Sequence, residues 1–258
     1  MLKCILAAVW EERNVTATQR SLSRRTTAGH TGVQAIRRAS GFVTEEHLIS
    51  AIRTTFVQQS SANWQWIDEF NSQSGTADLV AVALRRDWKQ EASMRQVPVR
   101  WLYPLTMLSL GAATDVKSFS TRFGVSESAA HAALAAYTEA NYCTYNPEQR
   151  VWIKARDPLP VAERIVAVEA KLRDWRRALY QAVQYTSYAF EVWVVLDTAF
   201  LHSALVHVDE FERRGIGLLG LSANGESELV NPAARKPPRN HERFWQANAE
   251  IVRRLPIS

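Results

Sequence analysis

The chain has 258 residues, of which 47% are hydrophobic, and its formal net charge is +5 at pH 7. This length suits one large domain or two modest ones, and the hydrophobic share is ample for a packed core. The sequence pI of about 9.4 indicates a modestly basic surface, which fits a polyanionic partner but does not require one.

Cysteine usage and the lengths of the apolar runs exclude several classes of protein. Cys4 and Cys143 offer neither a disulfide framework nor a zinc-ligand spacing, and they suit a reducing compartment. No apolar run approaches the ~20 residues that span a bilayer. The apolar start of the chain also lacks the small-residue cleavage pattern of a signal peptide. We therefore expect a cytoplasmic protein that makes no membrane contact.

The N-terminal segment, residues 1–40, becomes rich in Ser, Thr and Arg from residue 13 onward and has no acidic residue there. We predict a basic arm in which Arg24 and Arg25 contact the phosphate backbone of DNA. A solvated linker is an equally supported alternative.

A helix followed by a hairpin is predicted next. Thr44 is suited to cap a helix whose first turn carries Glu45 and Glu46, and apolar residues at helical spacing extend it to about residue 58. Residues 64–70 and 78–84 then predict two strands, and the turn-forming residues between them indicate a hairpin.

Residues 99–156 differ from their surroundings. Helices are predicted over 103–110, 115–123 and 126–140, followed by strands over 141–145 and 150–154. Three helices, a glycine turn at Gly124 and a β-hairpin resemble a winged helix-turn-helix domain inserted into the chain.

This resemblance implies contact with DNA. The N-terminal residues of the recognition helix include neither Arg nor Lys. That helix therefore lacks the side chains that recognise guanine through bidentate hydrogen bonds. The basic residues suited to contact phosphate are Lys117, Arg122, Arg150 and Lys154. The alternative is that this insert binds a protein partner or a second copy of the chain.

The stretch 164–185 contains the most distinctive pattern. Ile165–Val168 predicts a buried strand, and Glu169 and Lys171, two residues apart, project from the same side of its end. Asp174 is suited to cap the following helix, on which Gln181 and Tyr185 lie one turn apart. A carboxylate beside a lysine forms a potential hydrolytic site, because carboxylate oxygen holds Mg²⁺ and an ammonium offsets charge on a phosphate.

The remaining elements complete a sheet. A strand over 192–196 should run parallel to the Glu-x-Lys strand because a helix connects them. A helix over 198–213, a strand over 215–221, a hairpin turn at Asn224-Gly225 and a final helix over 239–254 follow.

A single carboxylate provides too few ligands for a metal ion. Asp78, at the start of the second hairpin strand, is the candidate for a second carboxylate ligand. Asp78, Glu169-Ala170-Lys171, Gln181 and Tyr185 in this order resemble the PD-(D/E)XK nuclease superfamily, although Ala77 stands where the motif name has proline. The resemblance covers about residues 42–86 and 160–200. It implies an α/β fold: a restriction-endonuclease-like mixed sheet flanked by helices, formed by 41–98 and 157–258, with 99–156 as the winged-helix insert.

The same resemblance implies a function, a Mg²⁺-dependent endonuclease that hydrolyses phosphodiester bonds in DNA during defence, restriction or repair. Asp78 and Glu169 would be the metal ligands, with Mn²⁺ as a substitute. Lys171 would orient water or offset charge, and Gln181 would hold that water or Lys171. Glu45 would reach the metal site, although its position in the first turn favours the simpler role of complementing the helix dipole. A duplex cut needs two sites, so a homodimer is expected.

Nothing in these residues separates a nuclease for DNA from one for RNA, or duplex from branched or single-stranded substrates. Two alternatives without nuclease activity also remain open. One is a non-catalytic DNA-binding or regulatory protein built on a nuclease scaffold. The other is that Glu169 and Lys171 are only a solvated pair at the end of a strand.

Overall fold

The computed structural model describes residues 41–57 and 64–256. The predicted basic arm, with Arg24 and Arg25, lies outside these residues. Within them the protein is of mixed α/β class, with a six-stranded mixed sheet, a smaller three-stranded sheet and flanking helices. No helix in the described ranges is long and apolar enough to cross a membrane.

Nine strands and eight helices follow one another in the described part of the chain. The strands are β1 (Trp64–Asn71), β2 (Thr76–Leu84), β3 (Ala113–Thr114), β4 (Cys143–Asn146), β5 (Val151–Lys154), β6 (Ala162–Lys171), β7 (Glu191–Asp197), β8 (Gly217–Leu221) and β9 (Ser227–Asn231). The helices are α1 (Glu45–Val57), α2 (Val99–Met107), α3 (Val116–Phe123), α4 (Glu127–Glu139), α5 (Trp175–Tyr185), α6 (His202–Leu205), α7 (Val208–Arg214) and α8 (His241–Arg254), with 3₁₀ turns over Trp88–Gln96.

The large sheet has the strand order β1-β2-β6-β7-β8-β9. β1 pairs antiparallel with β2, and β2 pairs antiparallel with β6, which confirms the predicted hairpin. β6 and β7 are parallel, as the connecting helix α5 predicts, and β8 continues the parallel part before β9 reverses. The sheet thereby places β6 between an antiparallel and a parallel neighbour.

The middle of strand β6, Ile165–Val168, is apolar because both of its faces are covered there. Ile165 and Ala167 share a core with the inner face of α5, whereas Val166 and Val168 share a second core with α1. Alternation of side chains across the strand sends successive residues into these two cores. The strand is therefore held rigidly where it reaches Glu169 and Lys171.

The insert begins and ends its helices where local capping residues predict. Asp115 accepts a hydrogen bond from Ser118 N at 2.8 Å, and Ser126 accepts one from Ala129 N at 3.2 Å. Gly124 supplies the left-handed backbone, at φ 64°, that ends α3. The sheet order β3-β5-β4 closes the insert, and its two-residue strand β3 was not predicted.

The insert and the large sheet share one hydrophobic core. Leu102 of α2 and Leu134 of α4 belong to the same buried cluster as Ile165 of β6 and Ile251 of α8. A buried polar network adds to this contact, because Tyr142 donates to the carboxylate of Glu91 at 2.6 Å. The insert is therefore packed into the protein as well as connected to it.

Two helix predictions differ from the structure. The helix predicted over 103–110 instead runs over Val99–Met107, starting immediately after the extended residue Pro98. The single helix predicted over 198–213 is wrong, because α6 and α7 are separate. His207 leaves helical geometry between them, at φ −124° and ψ 19°, and its ring stacks on Trp175 at 4.6 Å.

We expect Leu102→Ala to lower the free energy of unfolding by about 2–5 kcal/mol, because it opens a cavity in the shared core. Leu110→Ala is the matched control, since Leu110 is 60% exposed and should change stability by no more than about 0.5 kcal/mol. Urea denaturation followed by tryptophan fluorescence measures both. Equal effects of the two substitutions would contradict the shared core.

Candidate active site

The two predicted metal-ligand carboxylates lie on neighbouring strands. The pairing of Leu79 with Val168 brings Asp78 of β2 beside Glu169 of β6. Asp78 Oδ2 accepts a hydrogen bond from Ala170 N at 2.7 Å, which ties the carboxylate to the end of β6. Glu169 is fully buried, whereas the Asp78 side chain is 24% exposed. The pair therefore has one closed side and one side open to solvent.

The ammonium of Lys171 lies among four oxygen atoms. Its Nζ is 2.9 Å from Glu169 Oε1, 3.0 Å from the Ala170 carbonyl, 3.3 Å from Glu45 Oε2 and 3.6 Å from Asp78 Oδ2. Three of these oxygens are carboxylate oxygens, contributed by β6, α1 and β2. The lysine thus joins side chains that are far apart in sequence into one cluster.

Tyr185 fixes the other side of Glu169. Its hydroxyl lies 2.7 Å from Glu169 Oε2 and 2.7 Å from the Thr76 carbonyl, and the tyrosine is fully buried. Helical spacing predicts that Tyr185 lies one turn after Gln181, but it predicts no role for the tyrosine. That spacing was the available signal for it.

Gln181 lies on the same side of α5 as Tyr185, one turn earlier. Its Oε1 is buried and accepts no hydrogen bond from the described residues. A buried acceptor without a partner is costly, so this atom is suited to accept a hydrogen bond from a water or ligand. The predicted hydrogen bond from Lys171 to this oxygen is therefore not formed among the described residues.

Glu45 reaches the cluster because the start of α1 is anchored. Thr44 accepts a hydrogen bond from His47 N at 3.2 Å, as its predicted capping role requires. Fully buried Asp197, at the end of β7, accepts another from Phe42 N at 2.6 Å. The Glu45 side chain is 46% exposed, so it forms the solvent side of the cluster.

The charges of the cluster are incompletely balanced. Burial raises the pKa of Asp78, and the hydrogen bond from Ala170 and the charge of Lys171 only partly oppose it. Burial, followed by repulsion from Asp78, likewise raises the pKa of Glu169. Burial works to lower the pKa of Lys171, but the hydrogen bond and charge of Glu169, with Asp78 and Glu45, outweigh it and the pKa is raised. Three carboxylates around one ammonium favour a further cation.

The donor atoms fit a hard divalent cation. Asp78, Glu169 and the Ala170 carbonyl offer only oxygen, which Mg²⁺ and Mn²⁺ prefer. Among the described residues, no group of three or more His, Cys, Asp or Glu side chains is arranged to hold a metal ion. Mg²⁺ commonly binds through one or two carboxylates and keeps several waters. The two predicted carboxylate ligands therefore match the number and type of protein ligands that Mg²⁺ uses.

The predicted phosphate contacts of the insert divide into two groups. Lys117, Arg122 and Arg150 are exposed, although Arg122 also donates to the Met107 carbonyl at 2.7 Å. Lys154 contradicts its prediction, because it is only 2% exposed. Its ammonium donates to the Leu108 carbonyl at 2.7 Å and pairs with Asp157, which leaves it holding the insert together.

We expect Asp78→Asn to raise the melting temperature of the metal-free protein at pH 7. A carboxyl whose folded-state pKa is raised contributes stability that is fully present below its unfolded pKa and is lost as pH rises through the folded value. The amide imitates the protonated form, so the gain should disappear below the ordinary Asp pKa of 3.8. Thermal denaturation in EDTA across this pH range measures the effect.

Asp87→Asn is the control of opposite sign. The hydrogen bond from Arg85 lowers the pKa of Asp87, so its charged form is the favoured one and the amide should lower the melting temperature at pH 7. A lower melting temperature for both variants would contradict the charge imbalance at the site.

The geometry of the site is the basis for its functional interpretation. No protein-family model, no curated protein and no solved structure matches this chain.

Proposed function

We propose that this protein is a metal-dependent nuclease that hydrolyses phosphodiester bonds in DNA. The observation that carries the proposal is the convergence of Asp78, Glu169 and Lys171 at the end of β6, with Nζ of the lysine within 3.6 Å of both carboxylates. A solvated pair would leave Glu169 exposed, whereas Glu169 is fully buried. Desolvation of an ion pair is costly, and buried ionisable groups with perturbed pKa values cluster at functional sites, so this burial supports a chemical role.

Each side chain has a distinct part in the proposed reaction. Asp78 and Glu169 would hold Mg²⁺, which supplies polarisation of the phosphate and a bound water of lowered pKa. Lys171 offsets charge that develops on the phosphate or orients the attacking water. Gln181 accepts a hydrogen bond from that water, and Tyr185 keeps Glu169 in its orientation. Glu45 holds Lys171 from the solvent side.

The order of elements supports the restriction-endonuclease-like fold. A helix, a hairpin, a strand ending in Glu-x-Lys, a helix and a parallel strand follow one another as α1, β1, β2, β6, α5 and β7. The family resemblance implies products with a 5′-phosphate and a 3′-hydroxyl. A duplex cut requires two such sites, so the proposal includes a homodimer.

The insert is proposed to be a winged helix-turn-helix. Its order of elements, helix, short strand, two helices and a two-stranded wing joined in one small sheet, supports this. Lys117 and Arg150 are exposed and suited to phosphate, whereas α4 offers no basic residue at its start. DNA contact through the backbone is therefore favoured over base reading, and a protein partner is the alternative occupant of this surface.

We expect Glu169→Gln and Lys171→Met each to reduce cleavage by at least about 10²–10³-fold. The first would remove the charge of a metal ligand, and the second the positive charge that offsets the developing charge of the phosphate. Cleavage of plasmid and oligonucleotide substrates with Mg²⁺, Mn²⁺ or EDTA measures this. Glu163→Gln is the matched control, an exposed glutamate on the same strand. Full turnover by Lys171→Met would show that the role assigned to the lysine is wrong.

The non-catalytic alternative predicts a different response to metal. A nuclease site should bind Mg²⁺ or Mn²⁺ through Asp78 and Glu169 and raise the melting temperature as metal is added. Asp78→Asn should lose this rise. A wild-type melting temperature that does not change with metal, together with salt-sensitive DNA binding, would favour a regulatory protein on the same scaffold.

A further inference from the structure

Two adjacent cavities follow the outer side of α5, the helix that starts just after the candidate active site. The first, of ≈430 Å³, lies between α5 and α7 and is lined by Arg176, Tyr180 and Arg214 among others. The second, of ≈370 Å³, lies past the C-terminal end of α5 and is lined by Phe190 and Arg214 among others. Because Arg214 lines both cavities, they form one surface, which we call the α5 groove.

The α5 groove is strongly cationic. Arg176, Arg214, Lys236 and Arg239 line it, and the carboxylate of Glu210 is the acidic group among its lining residues. Arg214 pairs with Glu210 at 3.7 Å and remains 42% exposed. Within the described part of the chain, neither Lys236 nor Arg239 has a carboxylate partner, and both are exposed. This charge favours a ligand with more than one phosphate.

The cationic residues of the second cavity are held by a fixed backbone. Ala234 N donates to the Gly215 carbonyl at 3.0 Å, Lys236 N to the Phe190 carbonyl at 2.9 Å and Arg239 N to the Thr186 carbonyl at 3.0 Å. These three hydrogen bonds attach the segment before α8 to the ends of α5 and α7 and to the start of β7. The groove is thus formed before any ligand binds, which reduces the entropic cost of binding.

Each cavity also contains an aromatic ring beside its positive charge. Tyr180 on α5 is 70% exposed, so its ring is accessible to a ligand in the first cavity. Phe190 is half-buried and held edge-to-face against Phe244, with ring centroids 5.8 Å apart. Aromatic rings alternating with basic side chains suit successive nucleotides, since bases stack on the rings and phosphates pair with the charges.

We propose that the α5 groove binds a single strand of DNA that continues from the active site, an inference that rests on the proposed nuclease function. Arg176 lies in the first turn of α5, shortly after β6 ends at Lys171, so the groove begins on the helix that directly follows the strand of the active site. An aromatic ring can stack on an unpaired base, whereas the faces of a base inside a duplex are already covered by its neighbours. The groove therefore selects substrates with a single-stranded portion.

The test measures binding of a fluorescent single-stranded deoxyoligonucleotide of about 16 nucleotides in EDTA, over a series of salt concentrations. Arg214→Gln should reduce the slope of log affinity against log salt by about 0.7, the value for one lost phosphate contact on a single strand. Arg213→Gln is the matched control: the neighbouring residue on the same helix is 68% exposed, pairs with Asp209 and lines neither cavity. It should leave the slope unchanged.

The aromatic contact has a different signature. Tyr180→Ala should weaken binding about tenfold, as expected for the loss of one stacked base, with the salt slope unchanged. Tyr180→Phe keeps the ring and should bind like the wild type. Thermal denaturation confirms that each variant is folded, and the exposed position of Tyr180 makes unfolding by these substitutions unexpected.

Several results would overturn the groove. The first is tighter binding of the matching duplex than of the single strand. The second is an equal salt slope for Arg213→Gln and Arg214→Gln. The third is complete competition by a nucleoside monophosphate, which would indicate a site for a free nucleotide. Because the measurement is made in EDTA, it is separate from catalysis. If the Arg214 and Tyr180 substitutions weaken binding as expected but no metal-dependent cleavage is found, the nuclease proposal is rejected and the groove proposal stands. If the protein cleaves DNA but these substitutions have no such effect on binding, the groove proposal is rejected and the nuclease proposal stands.

Discussion

The arrangement of this protein depends on the ammonium of Lys171 and the carboxylates that surround it. A charge on a buried strand end requires compensation, and in this protein the opposing charges come from Glu169, Asp78 and Glu45 on three different elements. The sheet register places β2 beside β6, Asp197 anchors the start of α1, and α5 returns to contact Glu169 through Tyr185. Each of these features brings one oxygen or one hydroxyl to the same point.

This cluster explains why the site suits cation-dependent chemistry. Burial is the main cause that raises the pKa values of Asp78 and Glu169. The charge of Lys171 opposes this rise only in part. The oxygens that contact Lys171 are also the type of ligand that a hard divalent cation uses. The proposed metal ion would share these oxygens with the ammonium, and the exposed side of the cluster at Asp78 and Glu45 leads to solvent.

The elements around the cluster make the end of β6 rigid and distribute the basic residues over the surface. The two cores on either side of β6 make the strand end rigid, and the insert extends one of those cores through α2 and α8. Basic residues are kept exposed on the insert, at Lys117 and Arg150, and along the α5 groove, whereas Lys154 is used internally to join the insert to its own loop. Burial thus separates the basic residues that are available to the proposed nucleic-acid partner from the one that serves in packing.

The sequence by itself determined the order and type of most elements, because they depend on local periodicity, capping residues and turn composition. The β1–β2 hairpin, the Glu-x-Lys strand and the caps Thr44, Ser126 and Asp174 all follow from residues a few positions apart. Only the tertiary structure decided which distant atoms meet. The four oxygens around Lys171, the hydroxyl of Tyr185 at Glu169, the burial of Lys154 and the break before α7 that stacks His207 on Trp175 involve packing between elements far apart in the chain. Periodicity carries no information about such contacts, because it specifies which face of an element is buried and not what lies against it.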